Sequence, residues 1–316
     1  MVKINKKLFG NFSRLLLFLL LLLTTSNAGN CNLHRRVKRL SSPSLTEKTI
    51  ELAKYVVSIR SRTPSRYYGD NHYCGGVIVS LTFILTSAHC VMDQRKIMHR
   101  NRFVVIVAGN FIRLDYRNKY TVNRTVKGIF VPDGFTAENT HNIALIKLAK
   151  SLPLDNPNVG VINLPKAEPK PGLNYTVLGW GRMMKDGFMS SQIMSIDVEL
   201  FSQESCEEML NTFIDEMMCA RNKNGDQNAC AGDTGSPLIL NETVYGVVSY
   251  RIGCGSEILP TVYTNVFMHL KWIEDVMKKN SANHLKPLIM FPIITPIVLL
   301  IGNKILKGFR LYLITI

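Results

Sequence analysis

The feature that most restricts the fold of this chain is a series of short apolar segments separated by turn residues. The segments are rich in valine, isoleucine and aromatic residues, and they recur roughly every 10–20 residues. Such segments predict an all-β sandwich or barrel. Two helices are also predicted, at 203–213 and at 267–279, the second with Leu270, Ile273 and Val276 on one face. The predicted strands cover residues 55–59, 77–85, 103–107, 126–131, 142–148, 177–180, 196–200, 238–240, 244–250 and 262–266.

Residues 1–28 have the composition of a secretory signal peptide. A basic start is followed by an uninterrupted apolar run at 15–23 and by the small-residue cleavage site SNA at 26–28. A membrane anchor is the alternative, but the apolar run is too short to span a bilayer. We therefore expect the protein to be secreted.

The segments on either side of the central region differ from it in composition. Residues 29–52 are polar and irregular, and the pattern RVKR at 36–39 predicts furin-type cleavage after Arg39, although dibasic runs also occur by chance. Residues 287–302 are apolar or small but contain prolines, and basic residues follow them. A single-pass surface anchor, a dispensable tail and a lipid-anchor signal all stay open for this segment. Four regions are therefore predicted: a signal peptide at 1–28, a processing or linker segment at 29–52, a folded domain at 53–279 and an apolar and basic tail at 280–316.

Seven cysteines accompany the signal peptide, and cysteines of secreted proteins commonly form disulfides. Six lie within the folded domain and Cys31 is left over, so that it is free, paired with another chain or removed with an N-terminal peptide. Glycosylation sequons begin at Asn123, Asn174 and Asn241. The formal net charge of +15 favours anionic partners. We expect no cofactor, no metal and no nucleic-acid partner.

The run NACAGDTGSP at 228–237 is the strongest candidate for a functional site. It places Asp233 and Thr234 between two glycines, and glycine lets backbone amides approach a ligand closely. A turn of this kind presents two N–H groups to a developing oxyanion beside a side-chain nucleophile. A second candidate is His89 in LTSAHC at 85–90, which taken alone also fits a packed core histidine.

These two runs and NIAL at 142–145 occur in the order of the catalytic motifs of chymotrypsin/trypsin-like serine proteases, which the chain resembles from about residue 53 to 279. CGG at 74–76, GWG at 179–181, YTNV at 263–266 and a final helix with Trp272 belong to the same resemblance. The resemblance implies two packed antiparallel β-barrels, a cleft between them and a C-terminal helix. It also implies the disulfides Cys74–Cys90, Cys206–Cys219 and Cys230–Cys254.

The resemblance places His89, Asn142 and Thr234 at the positions of the catalytic triad, and the N–H groups of Gly232 and Thr234 at the oxyanion hole. In that mechanism a buried carboxylate fixes the tautomer of the histidine and stabilises its charged form. Asn142 has no charge, and its NH2 can donate to the ring and favour the wrong tautomer. Thr234 keeps a hydroxyl, but its β-methyl restricts χ1 in a turn built for serine.

The implied specificity pocket also departs from the trypsin-like pattern. Asn228 stands where trypsin-like members carry an aspartate at the pocket floor, and Ser249 keeps its place on the wall. Arg251 and Thr261 replace the two glycines that leave the pocket open. Cleavage after Arg39 would expose a new N-terminus without the family's Ile-Val-Gly-Gly start, so its pairing with the acid before the nucleophile is in doubt.

The sequence therefore predicts a serine protease homologue without proteolytic activity, extracellular and with tethering to the cell surface as an open alternative. A binding or regulatory role toward a protease, an inhibitor or a surface ligand requires only the scaffold. The alternative is a weak serine-type endopeptidase that uses Thr234 as its nucleophile and His89 as its base.

Overall fold

The computed structural model describes residues 45–281 apart from 94, 137, 184–185, 225–227 and 252–258, and only the backbone at 251. Within this part the strands form two closed antiparallel barrels. Barrel 1 has the order β1-β2-β3-β6-β5-β4 and comprises β1 (Val56–Ser61), β2 (His72–Ser80), β3 (Phe83–Thr86), β4 (Val104–Ala108), β5 (Val122–Phe130) and β6 (Ala144–Leu148). Barrel 2 has the order β10-β11-β12-β9-β8-β7 and comprises β7 (Asn174–Gly179), β8 (Met194–Leu200), β9 (Met217–Arg221), β10 (Pro237–Leu240), β11 (Thr243–Arg251) and β12 (Thr261–Asn265).

The helices are short and lie outside the barrels. They are α1 (Glu47–Ala53), α2 (Gln203–Met209) and α3 (Leu270–Ser281), with 3₁₀ turns at Ala88–Cys90, Asn101–Phe103 and Phe267–His269. The predicted all-β fold with two packed barrels and a C-terminal helix is confirmed.

Several strands of barrel 1 are apolar on both faces, which explains the long apolar runs in the sequence. In β3, Ile84 faces the interior of barrel 1, whereas its neighbours Phe83 and Leu85 pack in a second cluster with Trp180 and Ile239 of barrel 2. Successive side chains of a strand point to opposite faces, so a strand between two cores has no polar face. This shared apolar cluster holds the barrels together.

Three predicted elements have other bounds in the structure, and one strand was not predicted. The single run 77–85 contains a turn, because the hydroxyl of Ser80 accepts the N–H groups of Thr82 and Phe83 and reverses the chain between β2 and β3. The helix predicted at 203–213 ends at 209, since Leu210 is extended and buried at 4% exposure. The helix predicted from 267 begins with a 3₁₀ turn and becomes α-helical at 270. Strand β9 was not predicted, because its methionines do not have the β-branched character of the other strands.

The predicted irregular segment 29–52 contains the start of α1. Thr46 caps this helix by accepting the N–H of Thr49 at 3.1 Å. The helix is held against β8 by a hydrogen bond of 2.7 Å between the hydroxyls of Thr49 and Ser195 and by an ion pair of 2.7 Å between Lys48 and Asp197. The packed region thus begins before residue 53.

Two of the three predicted disulfides, Cys74–Cys90 and Cys206–Cys219, are confirmed. Cys230 is also disulfide-bonded, and Cys254, its predicted partner, lies outside the described residues. The signal peptide, Cys31, Arg39 and the tail at 280–316, apart from 280–281, lie outside them as well. Among the described residues, no helix has both the length and the apolar character needed to cross a membrane.

Candidate active site

Strand register brings two of the predicted triad positions together. Strands β3 and β6 are antiparallel, and Thr86 at the end of β3 pairs with Ala144 at the start of β6. The residues that follow β3 therefore lie beside those that precede β6, and the backbone N–H of His89 donates to Oδ1 of Asn142 at 3.1 Å. The Cys74–Cys90 disulfide fixes the same 3₁₀ turn to β2.

The turn at 230–236 is held rigidly by its aspartate. The carboxylate of Asp233 is fully buried and accepts the N–H groups of Gly181 and Cys230, each at 2.8 Å. The backbone of Gly179 passes so close that a Cβ there would lie 2.2 Å from Oδ1 of Asp233. Asp233 therefore fixes the shape of the turn through backbone amides.

The nucleophile position is attached to barrel 1. The carbonyl of Thr234 accepts the N–H of Gly75 in β2 at 2.8 Å. Gly235 next to it has φ +80°, and a Cβ there would lie 2.1 Å from Oγ1 of Thr86. The position requires glycine, because both the backbone conformation and the contact exclude a side chain.

The two residues predicted to form the oxyanion hole, Gly232 and Thr234, lie in this turn. Gly232 has φ +97°, and its carbonyl accepts Nε2 of His72 at 3.0 Å. Nδ1 of His72 makes a hydrogen bond of 2.8 Å with Oγ of Ser58. Among the described residues, no hydrogen-bond acceptor faces the N–H groups of Gly232 and Thr234. The two amides therefore have hydrogen-bonding capacity left for a ligand oxygen.

Asn142 is fully buried, and both ends of its amide are used. Its Oδ1 accepts the hydroxyl of Ser87 at 2.6 Å besides the N–H of His89, and its Nδ2 donates to Oγ of Ser249 at 2.7 Å. The backbone carbonyl of Asn142 accepts the hydroxyl of Thr264 at 2.9 Å. The amide therefore contacts the backbone of His89, and within the described chain it makes no hydrogen bond to the imidazole ring.

The ring of His89 is bonded to a residue that the sequence did not indicate. Its Nε2 lies 2.7 Å from Oδ1 of Asn139, and the ring packs edge-on against Phe135 with a centroid distance of 5.1 Å. Asn139 has φ +73°, a left-handed conformation that asparagine tolerates better than most residues. Thr234 makes no hydrogen bond to this ring in the part of the chain that the structure describes.

Three of the four predicted pocket residues are described, and all three are buried. Asn228, Ser249 and Thr261 have exposed fractions of 4%, 2% and 2%. Ser249 lies where the register of β11 against β12 shifts, which turns its hydroxyl toward Asn142. The side chain of Arg251, the fourth, lies outside the described residues. Asn228 supplies no charge at the position of the pocket floor.

The sequence analysis missed Asn139, Ser87 and His72. His72 stands two residues before the CGG run at 74–76, and this position beside a motif of the resemblance could have indicated it. No sequence signal indicated Asn139, because its contact with His89 depends on the conformation of an irregular loop. Ser87 follows β3 directly, so only the register between β3 and β6 reveals its contact with Asn142.

Two closed barrels with these residues between them define a chymotrypsin-like serine protease fold. Residues 45–273 match the sequence profile of the Trypsin family, and the chain therefore belongs to that family. Similar proteins include trypsin zeta of Drosophila erecta, 33% identical over 65% of this chain and 74% of the relative. Trypsin zeta of Drosophila melanogaster is 32% identical over 71% of this chain and 81% of the relative. Epidermal growth factor-binding protein type B of Mus musculus is 29% identical over 68% of this chain and 84% of the relative.

Proposed function

We propose that this protein is a secreted or surface-tethered member of the trypsin family that does not cleave peptide bonds and acts by binding another protein. The observation that carries the proposal is the 2.7 Å contact between Nε2 of His89 and Oδ1 of Asn139. An amide oxygen only accepts hydrogen bonds, so Nε2 carries a proton. A general base needs a lone pair directed at the proton it removes. His89 in this state cannot take the proton of Thr234.

Because residue 142 is asparagine, the site lacks the carboxylate that would favour the tautomer of His89 with its proton on Nδ1. A carboxylate at this position accepts Nδ1–H of the histidine, which leaves Nε2 as the base. The amide instead donates to Ser249 and accepts from Ser87. In this mechanism the change of the acid to its amide costs about 10⁴-fold in turnover. Thr234 adds a β-methyl beside the attacking oxygen, and a misplacement of about 1 Å costs on the order of a hundredfold.

The cleft keeps a rigid turn whose backbone amides can contact a bound protein loop, although the specificity pocket departs from the trypsin-like pattern. Asp233 keeps the turn in shape, and the N–H groups of Gly232 and Thr234 have no acceptor among the described residues. A scaffold of this kind suits the capture of an exposed protein loop. One mouse relative carries a binding name, epidermal growth factor-binding protein type B. The partner proposed here is a protease, a protease inhibitor or a surface ligand.

Secretion is proposed from the signal peptide at 1–28 and is supported by the disulfides of the folded domain. The three sequon asparagines, Asn123, Asn174 and Asn241, are all exposed on the barrels and accessible to glycosylation. Expression in animal cells, with and without glycosidase treatment, tests both points. Proteolytic shaving of intact cells tests the tether: release of the folded domain from a cell-bound stub supports it, and recovery only in the medium contradicts it.

The second candidate is a slow endopeptidase that uses Thr234 and His89, and the trypsin names of two relatives favour it. A fluorophosphonate probe on purified, processed protein separates the two candidates. We expect no labelling of the natural protein, while an active trypsin in the same experiment is labelled. Labelling at Thr234 that disappears in His89→Ala would overturn the binding-only proposal. Thr234→Ala serves as the control for labelling elsewhere.

A further inference from the structure

A cluster of three metal-ligating side chains lies beside the cleft, outside the triad positions. Nδ1 of His141 lies 2.5 Å from Oε2 of Glu216, and Nε2 of His269 lies 3.3 Å from both of these atoms. We propose that His141, Glu216 and His269 bind one Zn²⁺ ion, which clamps the two barrels together at the edge of the cleft. From the sequence we expected no metal, and the three residues lie far apart in the chain.

The spacing of the three atoms fits a tetrahedral ion. With Zn–N and Zn–O distances of about 2.0–2.1 Å, the ligand atoms of a tetrahedral site lie about 3.3–3.4 Å apart. Two of the three distances already have this value, 3.3 Å each. The third distance, between Nδ1 of His141 and Oε2 of Glu216, is 2.5 Å and must increase to a similar value when the ion binds. The side chain of His141 is 46% exposed, so it has room to move and leaves a path for the ion.

A buried hydrogen bond orients the ring of His269 for metal binding. Its side chain is 6% exposed, and Nδ1 lies 2.8 Å from the backbone carbonyl of Asn265. A carbonyl only accepts, so Nδ1 carries a proton, and Nε2 of the same ring points at Glu216. Metal-bound histidines commonly have such a second hydrogen bond, which fixes the tautomer and the ring orientation. Nε2 of His269 and Oε2 of Glu216, 3.3 Å apart, are placed to share one cation.

The backbone around His141 is built to hold the ring in place. His141 has φ +48°, which is unusual for a residue other than glycine, and its backbone N–H donates to Oε1 of Glu216. This contact leaves Oε2 of Glu216 to face both rings. The His141 ring lies against Gly134, where a Cβ would approach it to 2.2 Å. The glycine and the carboxylate together position the imidazole.

The ligand types favour zinc over calcium or magnesium. Two imidazoles and one carboxylate suit Zn²⁺, whereas Ca²⁺ and Mg²⁺ prefer oxygen ligands. His141 lies in the loop before β6 of barrel 1, and Glu216 and His269 flank β9 and β12 of barrel 2. A bound ion therefore links the two barrels through His141. This residue lies one position before Asn142 and two positions after Asn139, whose Oδ1 accepts a hydrogen bond from Nε2 of His89.

The proposal is tested with purified protein that carries no histidine-containing affinity tag. We expect one Zn²⁺ per chain after dialysis, measured by elemental analysis, and a rise in Tm that Ca²⁺ does not produce. In competition with a chromogenic chelator, His141→Ala and Glu216→Gln should each weaken Zn²⁺ affinity by at least about tenfold. The control His99→Ala, which removes an exposed histidine outside the cluster, should leave the affinity unchanged.

Unchanged affinity in both His141→Ala and Glu216→Gln would overturn the proposal, as would an equal loss in His99→Ala. Substoichiometric zinc in the natural protein would do the same. His141→Ala removes a partly exposed side chain, and circular dichroism and Tm without metal establish that each variant is folded. These readouts do not depend on proteolytic activity, so the zinc site and the proposed loss of catalysis succeed or fail separately.

Discussion

Nε2 of His89, the ring nitrogen that acts as the base in the serine protease mechanism, lies 2.7 Å from Oδ1 of Asn139. The loop that carries Asn139 also carries His141 and Asn142, so a single segment determines the environment of His89 from two sides. The predicted acid position thus holds an amide that makes no hydrogen bond to the ring of His89 within the described chain. Asn139 instead supplies an acceptor at Nε2, which favours a proton on that nitrogen.

This contact predicts the protonation pattern of His89. Multiple-bond ¹⁵N NMR of histidine-labelled protein at neutral pH should place the proton on Nε2 of the neutral ring. Asn139→Gly, which keeps the left-handed backbone, should reduce that preference because the acceptor is gone. The exposed His99 is the internal reference. A natural protein with its His89 proton on Nδ1 would contradict the assignment.

Restoring the two triad residues is not expected to restore tryptic activity. Asn142→Asp places a carboxylate among three donors, Ser87, Ser249 and the N–H of His89, and Thr234→Ser restores the nucleophile. We still expect cleavage after arginine or lysine to be at least about a hundredfold slower than by an active trypsin. Asn228 has no negative charge, and we expect Thr261 and Arg251 to stand where two glycines leave the trypsin-like pocket open.

The matched variant for this experiment adds Arg251→Gly and Thr261→Gly to the same background. Its activity should exceed that of the double variant, because the two glycines reopen the pocket. Efficient tryptic activity in the double variant alone would show that the interpretation of the pocket is wrong.

Gly235, in the turn at 230–236, should tolerate substitution less well than Gly172, another left-handed glycine. A Cβ at Gly235 lies 2.1 Å from Thr86 and 2.5 Å from the carbonyl of Gly75, whereas at Gly172, with φ +77°, it meets nothing within 4 Å. Gly172→Ala should cost about 1 kcal/mol through backbone strain alone. Gly235→Ala should cost at least about 2 kcal/mol more because the packing must shift. Urea unfolding measures both, and equal costs would contradict the proposed close packing of the turn.

Glu242 makes a small contribution to acid sensitivity. The hydroxyl of Tyr55 donates to its carboxylate at 2.6 Å and Lys54 lies 3.5 Å away, so the pKa of Glu242 lies below its ordinary value. A lowered folded-state pKa adds stability above the unfolded pKa of about 4.3, and this stability is lost as pH falls through the folded pKa. Since the side chain is 57% exposed, the contribution should stay below about 1 kcal/mol.

The corresponding variant is Glu242→Gln, compared with Glu208→Gln at another exposed position. The deficit of Glu242→Gln in unfolding free energy should be constant between pH 5 and 7 and should shrink below pH of about 4.3. A deficit that grows as the pH falls would contradict the sign of the pKa shift.

The fold was predictable because its strongest signals are local and ordered along the chain. Short apolar segments indicated an all-β fold, and the ordered motifs around His89, Asn142 and Thr234 carried the family resemblance, which implied the two barrels and the disulfides. The irregular parts of the site were harder to predict from the sequence. Asn139 reaches His89 through a left-handed loop residue, and His141, Glu216 and His269 meet only after both barrels have closed. Strand β9 lacked β-branched residues, and α1 is short and gains its stability from contacts with β8.

We expect that the cleft of this protein does not turn over peptide bonds. Incubation of the purified, processed protein with a diverse peptide library, read by mass spectrometry beside His89→Ala, tests this expectation. No peptide should be cleaved faster by the natural protein than by His89→Ala. Cleavage of a defined sequence by the natural protein that is lost in His89→Ala and in Thr234→Ala would contradict it.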